Sequence, residues 1–210
     1  MPKQEVSTIR TFSPNNGLVE DRRRQISQAA LHLIATKGIQ KTGIREIARA
    51  SDMTIGNLYH YVGTREDIIY LAINHGVSKA RELIKDISAR CQSLEPRDAL
   101  RFAIDRFIRY QDQNWKETVF VYREMSSMTP ALRLPFVEIN SEIHELFDRI
   151  IQRGRKSGAF EAADTAMAVS TIVCMGDMWA LKRWYFKKTH SRDKYLNDFT
   201  EMIFKVLGAS

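Results

Sequence analysis

The sequence predicts an all-α fold: an N-terminal three-helix head built on a helix-turn-helix, linked by one long helix to a larger helical domain. Three observations carry this expectation. The 210 residues include only 10 Gly and 5 Pro, too few for a chain of many β-turns. Apolar residues recur at helical spacing along most of the chain, and no segment alternates with period two. Between residues 42 and 66 two short helical stretches flank a tight turn, the plan of a helix-turn-helix. The expected divisions are an arm over 1–19, the helix-turn-helix head over 20–66, and a second helical domain over 67–210.

Composition narrows the class. Hydrophobic residues make up 44% and charged residues 27% of the chain, which suits a folded globular protein rather than a disordered one. The net charge is +7. Residues 1–65 hold ten Lys and Arg against five Asp and Glu, so most of the excess lies in the first third. A polyanionic partner or a solvated basic face both explain it. Cys91 and Cys174 fit no metal spacing and read as free thiols of a cytoplasmic protein. No apolar leader opens the sequence. The most apolar window, 162–181, contains Asp164 and Asp177 and reads as a buried helix rather than a membrane span.

Residues 1–19 lack periodicity and read as a flexible arm, in which Lys3 and Arg10 either touch phosphate or belong to a disordered tail. From about Glu20, the stripe Ile26, Ala29, Ala30, Leu33 and Ile34 marks the first helix. Glu20 and Asp21 fall in its first turn, and Gly38 closes it. The second helix runs over about 44–50 with Ile44, Ile47 and Ala48 on one face. Gly43 or Thr42 is its N-cap, and Glu46 reaches back over its first turn. Ser51 and Asp52 break it. Thr54 caps a short third helix over 55–61. Thr64 caps the next, with Glu66 and Asp67 in its first turn. That fourth helix, about 64–90, contains no Pro and spans ~40 Å at 1.5 Å per residue. Helical patterns follow over 97–113, 114–128 and 136–153, with Pro130 and Pro135 punctuating the start of the last of these. A near-continuous apolar helix over 162–187 and a final helix over 192–207 complete the chain.

Segment 38–68, GIQKTGIREIARASDMTIGNLYHYVGTREDI, with the preceding ISQAALHLIATKG, resembles the TetR/AcrR family of one-component bacterial regulators. Gly38, Ile47-Ala48 and the run from Gly56 to Tyr61 carry the match. The fragment GRKSGAFEAAD fits less specifically. The resemblance implies an all-helical homodimer with an N-terminal DNA-binding domain over 20–66 and a C-terminal effector-binding and dimerisation domain over 67–210, commonly a repressor released by a small molecule. Two positions depart from the family pattern. Gly43 stands where a Thr or Ser hydroxyl is usual, and Gly63 stands where a Lys follows the recognition helix, leaving Arg65 to substitute.

A helix fits the ~12 Å major groove of DNA. With Leu58, Tyr61 and Val62 assigned to packing, Thr54, Ile55, Asn57, Tyr59 and His60 remain for double-stranded DNA. Asn57 suits a base edge and Ile55 a thymine methyl, and Gly56 permits close backbone approach. Thr42, Tyr59 and His60 suit phosphate, and Arg45 lies near the groove edge. Tyr59 and His60 also suit plain packing. A two-fold dimer on a palindromic operator supplies the specificity that one head lacks. The helix over 162–187 and the last helix are the expected interface, through Ile172, Met175, Phe199 and Ile203.

The aromatic and Met residues Trp115, Phe120, Tyr122, Met125 and Trp179 form either core or a ligand pocket. Arg123, His144 and Asp177 are polar residues set among them, and buried polar groups need partners. Arg123 with Asp177 or Glu124 is either a structural ion pair or a ligand clamp, and Arg183 can stack on Trp179. The expected effector is mostly apolar with one polar end. The GRKSGAF turn resembles that of family members sensing acyl-CoA thioesters, where Arg153, Arg155 and Lys156 either meet phosphates or form a solvated turn. No cofactor, metal ligand set, catalytic motif or membrane partner is expected. The alternative to a ligand sensor is a DNA-bound adaptor regulated by a protein partner.

Overall fold

A computed structural model of the chain describes residues 16–161 and 164–209. Among these, every regular element is a helix. The order is α1 (Asn16–Lys37), α2 (Ile44–Ala50), α3 (Ile55–Tyr61), α4 (Arg65–Cys91), α5 (Pro96–Gln113), α6 (Trp115–Glu124), α7 (Pro130–Lys156), α8 (Ala166–Leu181), α9 (Arg183–Thr189) and α10 (Arg192–Val206). The chain divides into two compact units, 1–77 and 78–210, so the division falls inside α4 rather than at residue 66.

In the first unit, α1 to α3 pack on Ile26, Ala30, Ile34, Ile47, Ala48, Leu58 and Val62, all buried. Helix α1 begins at Asn16, earlier than its apolar stripe indicates, so Glu20 and Asp21 lie beyond the first turn. The last residues of the expected arm, 16–19, are therefore helical. Residues 1–15, with Lys3 and Arg10, lie outside the described residues.

The turn between α2 and α3 is fixed by backbone hydrogen bonds. Asp52 N–H donates to the Arg49 carbonyl at 3.1 Å, and Met53 N–H donates to the Ala48 carbonyl at 2.8 Å. This paired closure puts Asp52 in the left-handed region, at φ +53°, which Asp tolerates better than most residues. Buried Ser51 donates its hydroxyl to the Ile47 carbonyl at 2.8 Å. Helix α4 opens with a reciprocal cap: Thr64 N–H donates to Asp67 Oδ2 at 2.9 Å, and Asp67 N–H donates to Thr64 Oγ1 at 3.1 Å.

The second unit centres on α8, which packs on α5, α6, α7 and α10. Close approach is bought with small residues. A Cβ on Gly176 would fall 2.3 Å from the Phe107 ring, and one on Gly154 would fall 2.2 Å from the Phe160 ring. Phe107 in turn meets Phe147 edge to face at 5.6 Å. Arg153 clamps the α4–α5 turn, donating to the Cys91 carbonyl at 2.7 Å and the Leu94 carbonyl at 2.8 Å.

Three expectations are corrected in this unit. Pro130 occupies the first turn of α7, and Pro135 lies inside the helix instead of preceding it. So near the N-terminus, the missing N–H removes one intrahelical bond and the helix continues. The apolar stretch 162–187 is not one helix: it divides at Lys182 into α8 and α9. The third concerns the dimer surface. Ile172, Phe199 and Ile203 are buried in this chain's own core, and Met175 is half-buried against it. Along the solvent side of α8 lie Met167, Thr171, Cys174 and Met178 instead, an uncharged stripe at helical spacing. On α10 the exposed apolar residues are Met202 and Val206. No helix among the described residues is long and apolar enough to cross a membrane.

Candidate nucleic-acid interface and effector site

The third helix owes its placement to its cap and its two faces. Thr54 Oγ1 accepts the Asn57 N–H at 3.1 Å, which satisfies one orphan donor and fixes where the helix begins. Leu58, Tyr61 and Val62 turn inward and are buried, while Thr54, Ile55, Gly56, Asn57, Tyr59 and His60 are exposed. These six are the residues on and just before this helix that the sequence assigned to DNA, alongside Thr42, Arg45 and Arg65 elsewhere in the head. A Cβ placed on Gly56 meets nothing within 4 Å among the described residues, so no packing against them calls for a glycine there.

Side chains of α1 hold this helix at both ends of the motif. Arg23 Nε donates to the Tyr61 carbonyl at 2.8 Å, at the end of α3. Gln25 Nε2 donates to the Ser51 carbonyl at 2.8 Å, at the end of α2. Sequence reasoning missed both roles, because the partners lie 38 and 26 residues away. Arg45 is exposed on α2.

Two of the expected phosphate contacts are corrected. Thr42 is buried, and its hydroxyl donates to the Gly38 carbonyl at 2.8 Å, so it secures the α1–α2 turn from inside. Arg65 directs its guanidinium at the same turn, donating to the Ile39 carbonyl at 2.6 Å and the Thr42 carbonyl at 3.4 Å. It acts as a strut between α4 and that turn. At Gly43, the N–H donates to Glu46 Oε2 at 3.4 Å. Glu46 also pairs with Lys37, and this hydrogen bond is the main reason its carboxyl titrates below the usual range.

In the second unit a polar chain runs through an apolar bundle. Asp177 on α8 is only 8% exposed. Its Oδ1 accepts from Gln111 Nε2 of α5, and its Oδ2 accepts from the Tyr122 hydroxyl of α6 at 2.7 Å. Gln111 is buried too, and its Oε1 accepts from the Thr118 hydroxyl at 2.6 Å. Burial pushes the Asp177 carboxyl up to about 6, against the opposing pull of Tyr122, the His144 charge and Gln111. Burial and the adjacent Asp177 also raise Tyr122 above its usual phenol range. Tyr122 itself is 54% exposed, so its ring stands at the surface while its hydroxyl reaches the buried carboxylate. Gln111 and Thr118 were not singled out from sequence: the Gln111 contact spans 66 residues.

The other predicted ligand residues separate. Trp179 is fully buried, donates Nε1–H to Asp112 Oδ1 at 3.0 Å, and packs on Tyr195 and Phe186. It is core. Phe120 is buried edge-on to Phe136, with centroids 6.4 Å apart. Met125 is half-buried at the end of α6. Arg123, expected among apolar residues, is exposed and pairs with Glu124 at 2.9 Å rather than with Asp177. Arg183 does not stack on Trp179. Its guanidinium lies 5.5 Å from the ring of half-buried Trp115 and pairs with Asp112. Arg153 is committed to two backbone carbonyls, which removes it from any phosphate-binding set.

A cleft of about 540 Å³ opens beside α5 and α10, lined in part by Arg90, Leu94, Arg101, Phe102, Arg109 and Leu196. Arg101 pairs with Glu201 at 2.8 Å, and Arg109 pairs with Asp105 at 2.7 Å, so much of its charge is already compensated. None of the predicted ligand residues lines it. No group of three His, Cys, Asp or Glu able to hold a metal occurs among the described residues.

Residues 26–70 match the family model described as bacterial regulatory proteins, tetR family, and residues 93–207 match the tetracyclin repressor-like C-terminal domain. The HTH-type transcriptional regulator HbdR of Aromatoleum sp. (strain CIB) is 24% identical over 199 residues, covering 94% of this chain and 86% of its own. The fold is similar to that of FadR from Bacillus subtilis in complex with stearoyl-CoA, with a TM-score of 0.71, 20% identity, and coverage of 87% of this chain and 97% of the other. It is also similar to AibR in complex with isovaleryl coenzyme A and operator DNA, with a TM-score of 0.70, 20% identity, and coverage of 90% and 100%. With its N-terminal match lying on the capped head and its C-terminal match spanning more than half of its length, the chain belongs to the TetR family of transcriptional regulators.

Proposed function

We propose that this regulator is a repressor that binds a palindromic operator as a homodimer in the cytoplasm and leaves it when an acyl-CoA enters the C-terminal unit. The observation that carries the ligand reading is the buried Asp177–Gln111–Thr118 chain reached by Tyr122. A carboxylate inside an apolar bundle is costly without partners, and here the partners are groups that can turn. The Tyr122 hydroxyl and the Gln111 amide are donors suited to the carbonyl oxygen of a thioester, with apolar side chains around them for the acyl chain. The acyl-CoA complexes of AibR and FadR, which share the fold, support the ligand class.

On the DNA side, the proposed contact set is Arg45, Thr54, Ile55, Gly56, Asn57, Tyr59 and His60, without Thr42 and Arg65. Asn57 reads a base edge. The dimer closes on Met167, Cys174, Met178, Met202 and Val206. Ligand binding favours one setting of α4 and so changes the fit of the two heads to half-sites one turn apart.

The test is selection of bound DNA from a random pool, followed by competition with acyl-CoAs of graded chain length. An enriched palindrome is expected, with binding weakened at least about tenfold by one chain-length range. Asn57→Ala should weaken the selected site by about 1–3 kcal/mol and relax preference at one position in each half-site. Recovery of no palindrome sinks the operator reading, and an operator complex indifferent to every acyl-CoA sinks the ligand reading.

A further inference from the structure

We propose that α9 and its flanking residues form a docking ledge for the nucleotide head of a coenzyme-A ligand, with the base stacked on Trp184 and phosphates held by Lys182, Lys187 and Lys188. The proposal rests on the acyl-CoA reading above and extends it to a part of the molecule outside the Asp177 network.

The charge pattern comes first. Residues 182–192, KRWYFKKTHSR, contain five Lys and Arg and no carboxylate. Arg183 and Arg192 are both engaged by Asp112. Lys182, Lys187 and Lys188 are exposed, and no carboxylate among the described residues pairs with them. Lys187 and Lys188 lie one turn beyond Trp184, at i+3 and i+4, and Lys182 flanks its ring; the three ammonium groups have no counter-charge among the described residues, and Lys serves phosphate as a compact point charge.

The aromatic pattern comes second. Trp184 is 66% exposed and Tyr185 is 50% exposed, with ring centroids 6.0 Å apart and edge to face. The Lys182 ammonium lies 5.9 Å from the Trp184 ring. An accessible indole beside cations is the surface on which nucleic-acid bases stack.

Continuity with the effector site comes third. Gln111 and Asp112 are consecutive on α5. Gln111 holds Asp177, and Asp112 holds Arg183, the residue before Trp184. The Arg183 guanidinium covers Trp115 at the start of α6, and the same helix carries Tyr122 to Asp177. A ligand with its acyl end at Asp177 therefore has the surface of α6 to follow toward α9. Self-pairing of the ledge with a second copy is disfavoured, because a two-fold contact would bring the three unpaired lysines against their own copies. The uncharged stripe of α8 offers a second copy a better surface.

The experiment uses the full-length protein and two probes, adenosine 3′,5′-bisphosphate and an acyl-CoA matched with its acyl-pantetheine. The bisphosphate should quench tryptophan emission saturably, and Trp184→Phe should abolish that quenching. Lys187→Glu with Lys188→Glu should weaken the acyl-CoA by roughly tenfold or more while leaving the acyl-pantetheine within about twofold. Added salt should erase most of the difference between the two ligands. Unchanged acyl-CoA affinity in the double variant overturns the ledge but spares the acyl-CoA reading. Quenching by the bisphosphate without any acyl-CoA response at the operator keeps the ledge and removes the effector reading. If Trp184→Ala turns the protein monomeric by light scattering, the patch belongs to a second copy and the ledge is wrong. Liposome flotation of the wild type without quenching by the bisphosphate assigns it to a lipid surface and is equally fatal.

Discussion

At the scale of the residue, Asp177 carries most of the chemistry of the second unit. Its folded-state proton is held up to about 6, against an ordinary carboxyl value of 3.8. Between those values the native chain holds more protons than the unfolded one, so this group stabilises fully at low pH and the contribution is lost as pH rises through about 6. Asp177→Asn removes that titration. The stability of the variant relative to wild type should therefore be more favourable at pH 8 than at pH 5, by about 1.4 kcal/mol. Thermal melts of both proteins across that range check it, and a difference independent of pH contradicts the assignment. Asp177 was visible as a polar intruder in an apolar run. Its partners were not, since Gln111 and Tyr122 reach it across 66 and 55 residues, and no local spacing reports such a contact. Arg123, nearer in pattern, lies on the solvent side of α6.

At the scale of the element, the helices of the head were legible because their signals are local. Caps at Thr54 and Thr64, the break at Ser51–Asp52 and the inward set Leu58, Tyr61 and Val62 all lie within a few residues of what they control. Helix α8 was harder. Between 166 and 181 its only charged residue is the buried Asp177, so nothing in the sequence marks which side meets water. That is why Ile172 was assigned outward and turned out to be core. The same helix offers a sharp test of packing. Gly176→Ala forces a Cβ into the Phe107 ring, which is itself buried against Phe147. The gain in helix propensity, about 1 kcal/mol, is smaller than the overpacking cost of up to about 3 kcal/mol. A net loss of roughly 1–2 kcal/mol in urea unfolding is expected, and a neutral or stabilised variant would show that the ring moves freely.

At the scale of the whole molecule, the prediction concerns assembly. Met167 is 68% exposed and Met202 is 41% exposed, on the two helices proposed to pair with their copies. Met167→Glu with Met202→Glu places charge in that interface without touching the core. The variant should keep its helical circular dichroism, scatter light as a monomer, and lose on the order of a hundredfold or more in operator affinity. A dimer of unchanged affinity would move the interface elsewhere. The two-part fold itself was readable from the resemblance and the length of α4. The position of the division within α4 was not, because a continuous helix leaves no mark where its neighbours change.

The empty space above Gly56 has a consequence in genetics. None of the described residues lies where a side chain there would go, so an allele with a larger residue at this position is expected to fold and, under the homodimer and effector site proposed above, to retain both. In a cell carrying both alleles, mixed pairs hold only one competent head. Such an allele is expected to be dominant, silencing the product of an intact copy as well as its own.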